Sequence, residues 1–307
     1  MFHRHIKIVP ASTLSERHAA QHRYSAFLAP FDMLFLRFAS TLSQALFFTL
    51  ITAKPMASHN PTIVIISGAW HVPESYSQLT NALKSSGYEV LVPRLPSMNG
   101  ERPPTANLAS DTETIREFVK DLIKKGCNVA ALMHSYGGQV GTNALNELGR
   151  DGKSAGVSQL IYMTAFAQDQ GWSMIDKVEE FGQGDLIPLA FDFADDMTVV
   201  SRDYKTLLVG NTTLPAAEVD AYINTLGRWN GQCMYDRITK TAWKDDIPIS
   251  YIHTTQDMTV PFDYQKSMVK VMRKAGREVR TFEVETGHCP NLSATSEVVD
   301  AIKKILG

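Results

Sequence analysis

The run TIVIIS, Thr62 to Ser67, constrains this chain more than any other stretch. Ile63 to Ile66 are aliphatic without a break, so the segment has no polar face to offer water. A strand of that kind is covered on both sides, as the strands of parallel sheets are. The same signal then recurs between helical patterns. PESYSQLTNALKSSG reads as a helix with Pro73 near its start and Gly87 at its end, and YEVLVP (Tyr88 to Pro93) as a second strand. After the Pro- and Gly-rich loop LPSMNGERPPTAN, Leu108, Ile115, Val119 and Leu122 mark a helix from Leu108 to Lys125. CNVAALM is the next strand, Gly138 to Leu148 the next helix, and VSQLIYMTAF (Val157 to Phe166) another strand. Repeated βα units predict an α/β fold with a mostly parallel, doubly wound sheet.

The alternation stops after Ala167 and resumes near Ile247 with IPISYIHT. A helix from Pro261 to Ala275, the strand EVRTFEV and a closing helix from Ser293 to Leu306 follow. The interruption of about 80 residues is too long for a plain loop. It predicts a helical cap, about residues 168–246, inserted after the strand that follows Ser135.

The first 55 residues differ from the rest. Six basic residues (Arg4, Lys7, Arg17, Arg23, Arg37, Lys54) face two acidic ones (Glu16, Asp32), a net of +4. Their most apolar part, Phe38 to Ala53, is interrupted by Ser, Thr and Gln and is shorter than the roughly 20 residues of a membrane span. Basic, acid-poor sequence of this kind has the composition of an organelle-targeting segment. Met56 begins MASHNPTIVIISGAW, which also reads as a natural start and would make 1–55 a gene-model artefact; a folded accessory helix is the third reading. Residues 27–53 could give weak membrane association. The main domain is expected to span 56–307.

The whole chain of 307 residues has a formal net charge of -2, which offers nucleic acid no basic face. Its three cysteines, Cys127, Cys233 and Cys289, form neither a disulfide framework nor a zinc pattern. A reducing, cytoplasmic location is the simpler expectation, with organelle or membrane association if 1–55 belong to the protein. No metal site or dinucleotide glycine motif is evident, so no cofactor is expected, and oligomeric state is not encoded legibly. The expected partner is a small molecule.

In open α/β sheets, functional groups gather at the carboxyl ends of strands. Ser135 lies there, in MHSYGG between a strand and a helix. A helix N-cap would account for the serine alone. Gly137 and Gly138 argue for more, because glycines cost helix stability while a tight strand-to-helix elbow requires them. Met133 stands where the usual G-x-S-x-G elbow has its first glycine, and its side chain is expected to turn into the core. A nucleophilic serine needs a base. Among His59, His71, His134, His253 and His288, the last follows a strand in the loop ETGHCPN and is best placed. The base needs an orienting acid. Asp257, in TTQDMTVP after another strand, fits before Asp169 and Asp192. The chain order Ser135, Asp257, His288 is the one α/β-hydrolases use. Oxyanion donors are expected at the N–H of Tyr136 and in SGAWH, with Ala69 first and Trp70 second. Trp70, His71 and Trp172 are candidate pocket residues.

PTIVIISGAWHVPESYSQLTNALKSSGYEVLVPRLPS, MHSYGG, LIYMTAF, WKDDIPISYIHTTQDMTVPFDYQ and GHCP together resemble the α/β-hydrolase superfamily, from about Pro61 to Leu306. They look most like the branch of plant methyl esterases, hydroxynitrile lyases and related bacterial and fungal hydrolases. The resemblance implies Ser135 as nucleophile, Asp257 and His288 as its partners, and Ala69 and Tyr136 as oxyanion donors. It implies a serine hydrolase for a carboxylic ester, lactone or thioester of a small apolar substrate, in the manner of fungal tailoring enzymes of secondary metabolism. A lyase, or a condensing or dehydrating enzyme on the same fold, is the alternative. No motif in the cap matches the family, so the substrate does not follow.

Overall fold

A computed structural model describes residues 60–307. The expectations for residues 1–55 and for membrane association through 27–53 lie outside the described residues. Nine strands and nine α-helices are present among them. The main sheet contains β1 (Thr62–Ile66), β2 (Val90–Leu91), β3 (Asn128–His134), β4 (Gly156–Met163), β8 (Ile249–Thr254) and β9 (Val279–Val284). Its order is β2-β1-β3-β4-β8-β9, and every pairing is parallel.

The unbroken aliphatic strands predicted cover on both faces, and the packing shows why. Ile63, Ile65, Ala130, Leu132, Ile161 and Ile252 point to one face, against Leu79 and Leu83 of α1 (Ser77–Ser85) and Val298 and Ile302 of α9 (Thr295–Leu306). Val64, Ile66, Ala131, Met133, Leu160 and Tyr251 point to the other. There they meet Ile115 and Val119 of α2 (Leu108–Lys124), Val140 of α3 (Tyr136–Ala144) and Met268 and Met272 of α7 (Phe262–Lys274). Each fully buried aliphatic side chain contributes roughly 1.5–3 kcal/mol by leaving water.

The register brings the carboxyl ends together: Ile66 pairs with Met133, Met133 with Tyr162, Met163 with Ile252 and Thr254 with Val284. The segments after five strands therefore meet along one edge of the sheet. The cap lies between β4 and β8. It holds α4 (Met174–Glu180), α5 (Ile187–Ala190) and α6 (Ala216–Ile223), as helical patterning led one to expect. It also holds β5 (Phe191–Phe193), β6 (Thr198–Ser201) and β7 (Trp229–Asn230), paired antiparallel. These strands are too short for a period-two pattern to stand out in sequence. The small helix α8 (Pro290–Ser293) precedes α9.

Candidate active site

β3 passes into α3 through a single residue, Ser135, with φ 53° and ψ -123°. A non-glycine residue at positive φ stores strain of roughly 1–3 kcal/mol, held by the surrounding structure. Here the Ser135 carbonyl accepts from the N–H of Gly138 (3.0 Å) and of Phe166 (3.1 Å). Ser135 occupies the N-cap position of α3, yet its side chain makes no cap hydrogen bond. Capping does not account for it. Its Oγ lies 2.9 Å from His288 Nε2 instead.

The close approach expected of the glycines is present. A methyl group at Gly137 would sit 2.7 Å from the carbonyl carbon of Ile66 and 2.8 Å from the Ser67 carbonyl oxygen. Met133 is fully buried, and its Cγ lies 2.9 Å from where a methyl at Gly141 would be. The missing side chain at Gly141 makes room for the thioether that replaces the elbow's usual first glycine.

His288 follows β9, and its Nδ1 lies 2.7 Å from Asp257 Oδ2. The carboxylate accepts that N–H, which leaves Nε2 as acceptor for the Ser135 hydroxyl. Asp257 is itself fixed on all sides. Oδ1 accepts from the N–H of Thr259 (2.7 Å) and Val260 (2.8 Å) in the turn before α7. Oδ2 also accepts from Thr254 Oγ1 (3.0 Å) and Thr164 Oγ1. Ser135, Asp257 and His288 are 3%, 7% and 1% exposed, so this line of polar groups is screened from water. Three of the six non-glycine residues at positive φ among the described residues surround it: Trp70, Ser135 and Thr164.

The segment after β1 abuts the serine, since a methyl at Gly68 would lie 3.0 Å from Ser135 Cβ. Among the described residues, the N–H groups of Ala69 and Tyr136 donate to no backbone carbonyl. The Tyr136 N–H belongs to the first turn of α3, where the helix dipole favours negative charge.

The other histidines and carboxylates that the sequence offered find different roles. His134 is fully buried, with Nδ1 2.8 Å from the Tyr76 hydroxyl and Nε2 2.9 Å from the His288 carbonyl. A carbonyl only accepts, so Nε2 carries the proton and Nδ1 accepts from Tyr76. Burial, then the neighbouring His71 and His288, hold its pKa well below the ordinary value. His253 stacks on Tyr251 and faces Gln265, with its pKa lowered to about 4 by burial. Asp169 pairs with Lys244 and Asp192 with Arg202.

The three candidate pocket residues lie in different surroundings. Trp70 is buried against Phe191 and Trp229 and donates from Nε1 to the Val199 carbonyl (3.1 Å). It packs under the cap because its indole finds both apolar neighbours and an acceptor there. His71 is buried and fully hydrogen-bonded. Trp172 is 39% exposed and lines a cavity of about 140 Å³ with Lys177, Met268 and Val271, whose walls include none of Ser135, Asp257 and His288. A separate apolar groove of about 70 Å³ runs between the cap and the start of α7, past Leu186, Phe191, Leu207, Met258 and Thr259. Thr259 is hydrogen-bonded to Asp257, so this groove borders the polar line.

Sequence reasoning missed Thr164, Thr254, Tyr76 and Asp111. Asp111 is fully buried and accepts from the Ser97 N–H (2.8 Å), the Ser97 hydroxyl (2.5 Å) and the Tyr136 hydroxyl (2.8 Å). Burial raises its pKa to about 6, against the opposing effect of these hydrogen bonds. The signal for Asp111 was present: an acidic residue on the apolar stripe of a helix.

Residues 63–301 match the sequence profile of the alpha/beta hydrolase family. The chain is 29% identical over 256 residues to the probable hydrolase R7 of Phoma sp., covering 80% of this chain and 98% of that protein. It is 30% identical over 250 residues to the alpha/beta hydrolase nvfD of Aspergillus novofumigatus, covering 80% and 97%. Among solved structures, polyneuridine aldehyde esterase superposes with a TM-score of 0.65 at 20% identity, covering 80% of this chain and 99% of that one. A methylesterase from Arabidopsis superposes with a TM-score of 0.61 at 16% identity, covering 80% and 98%.

Proposed function

The chain belongs to the alpha/beta hydrolase family, and on that footing we propose that it is a serine hydrolase of carboxylic esters, lactones or thioesters. The observation that carries the reading is the buried line Ser135 Oγ, His288 Nε2, His288 Nδ1, Asp257 Oδ2, with hydrogen-bond lengths of 2.9 and 2.7 Å. In this reading Ser135 attacks the acyl carbon while His288 takes its proton. Asp257 holds the imidazole in the productive tautomer and stabilises its charged form. The N–H groups of Ala69 and Tyr136 receive the developing oxyanion, an interaction worth about 2.7–4 kcal/mol per donor in other serine hydrolases. His288 then protonates the leaving group, and a water repeats the sequence to release the acid.

The hydrolase and esterase names of the relatives support the reaction class. The apolar groove beside Thr259 supports a small apolar substrate. A place in secondary metabolism rests on the likeness to small fungal hydrolases. The test is a panel of p-nitrophenyl esters, lactones and thioesters with the wild-type protein and Ser135→Ala, beside labelling with a fluorophosphonate. Ser135-dependent hydrolysis and labelling are expected. Labelling that survives Ser135→Ala overturns the assignment. An unlabelled Ser135 with an indispensable His288 points instead to lyase or condensing chemistry on this fold.

A further inference from the structure

Resting on the reading of Ser135 and Ala69 above, we propose that Tyr222 of the cap and His71 form a positioning relay that sets the oxyanion-binding segment, so that the cap is part of that site's frame. His71 Nδ1 lies 2.7 Å from the Ala69 carbonyl oxygen, and its Nε2 lies 2.7 Å from the Tyr222 hydroxyl. The carbonyl can only accept, so Nδ1 carries the proton and Nε2 is the acceptor. Tyr222 therefore donates its hydroxyl hydrogen to His71. Its own oxygen accepts from Asn291 Nδ2 (3.0 Å), whose amide also donates to the Ser75 carbonyl (3.1 Å). That second bond fixes which way the Asn291 amide faces, because only the nitrogen can approach a carbonyl as donor. Every step of the chain Asn291, Tyr222, His71, Ala69 has one direction.

All four residues are buried, and burial lowers the pKa of His71 to about 3, so the ring stays neutral across the working range. A neutral ring with a fixed tautomer is a rigid strut between the cap helix α6 and the carbonyl of Ala69, the residue whose own N–H is the proposed oxyanion donor. Three more bonds from the cap hold the same segment. Gly227 N–H donates to the Trp70 carbonyl (2.8 Å), Trp70 Nε1 donates to the Val199 carbonyl (3.1 Å), and the hydroxyls of Ser75 and Thr225 pair at 2.7 Å. Trp70 sits at φ 65°, a conformation that needs such support. Movement of the α6 side of the cap would break these bonds and misplace Ala69.

The experiment compares fluorophosphonate labelling rates and steady-state p-nitrophenyl ester kinetics for wild type, Tyr222→Phe, His71→Asn, His71→Leu and the control Glu218→Gln on the exposed face of α6. Tyr222→Phe is expected to slow labelling about tenfold and to lower kcat by a similar factor, with KM nearly unchanged, because Ala69 contributes to the transition state. His71→Asn, whose amide nitrogen can replace Nδ1 toward Ala69, should retain more activity than His71→Leu at matched thermal stability. Glu218→Gln should match wild type. Wild-type labelling and kcat in Tyr222→Phe, or equal losses in His71→Asn and His71→Leu, would overturn the relay alone. Absence of Ser135 labelling in the wild-type protein would overturn the hydrolase reading and the relay with it.

Discussion

Replacing Gly137 by alanine adds one methyl group at the closest approach of strand and helix in the molecule's candidate site. The methyl would lie against the Ile66 carbonyl, 2.7 Å from its carbon and 2.8 Å from the Ser67 oxygen. These are backbone atoms of β1 and the segment following it, and they have no rotamer to change. Real side chains do not approach closer than about 3 Å, so α3 must move away from β1 by several tenths of an ångström or more. Overpacking of this kind costs about 1–3 kcal/mol. Helix propensity gives back at most about 1 kcal/mol. A net loss of about 1–2 kcal/mol lowers the Tm of a domain this size by about 2–8 °C. The shift also carries the Tyr136 N–H and Ser135 away from His288, and misplacement on the ångström scale can cost about a hundredfold in kcat. Gly141→Ala is the internal control. Its methyl meets the buried side chains of Met133 and Ile66 rather than backbone atoms, so a smaller loss of Tm and kcat than in Gly137→Ala is expected. Calorimetry and ester hydrolysis on both variants provide the measurement. Wild-type Tm and kcat in Gly137→Ala, or equal damage from Gly141→Ala, would refute the argument.

Asp111 makes stability depend on pH. Its folded pKa of about 6 lies above the 3.8 of a free carboxyl, so the folded chain holds a proton that the unfolded chain has lost. Stability from this group is present below about pH 4 and lost as pH rises to about 6, by an amount on the order of 3 kcal/mol. Asp111→Asn should remove that slope in urea titrations from pH 4 to 8, and parallel curves for the two proteins would contradict it. Asp257→Asn places an amide where Oδ2 now accepts from His288 and two threonine hydroxyls. The imidazole then loses its productive tautomer, and kcat should fall by about three to four orders of magnitude with the Tm changing far less. A loss below tenfold in stopped-flow assays would remove Asp257 from its proposed role.

The aliphatic runs were legible because a sheet covered on both faces has no other way to be written. Ile63 to Ile66 already exclude a half-exposed strand. Strand ends, the elbow glycines and the order Ser135, Asp257, His288 follow from local chemistry and chain direction, and the structure brings these three residues into hydrogen-bonding distance. The cap was legible only as an interruption. Its strands are short, and their stability comes from packing such as Val199 on Trp229 rather than from their own pattern.

The strand-end loop ETGHCPN singled out His288 in the sequence, but the partners of His71 and His134 were decided by tertiary structure alone. What separates the three is which atoms the fold sets opposite each ring: carbonyl and tyrosine for His71 and His134, carboxylate and serine for His288. Tyr222 lies 151 residues from His71, and no local pattern couples residues at that distance. The sequence by itself determined that the sheet would be buried and that Ser135 would stand on a turn too tight for side chains behind it. The partners of each buried polar group were settled by three-dimensional packing, because a hydrogen bond between distant segments exists only after burial has brought them together.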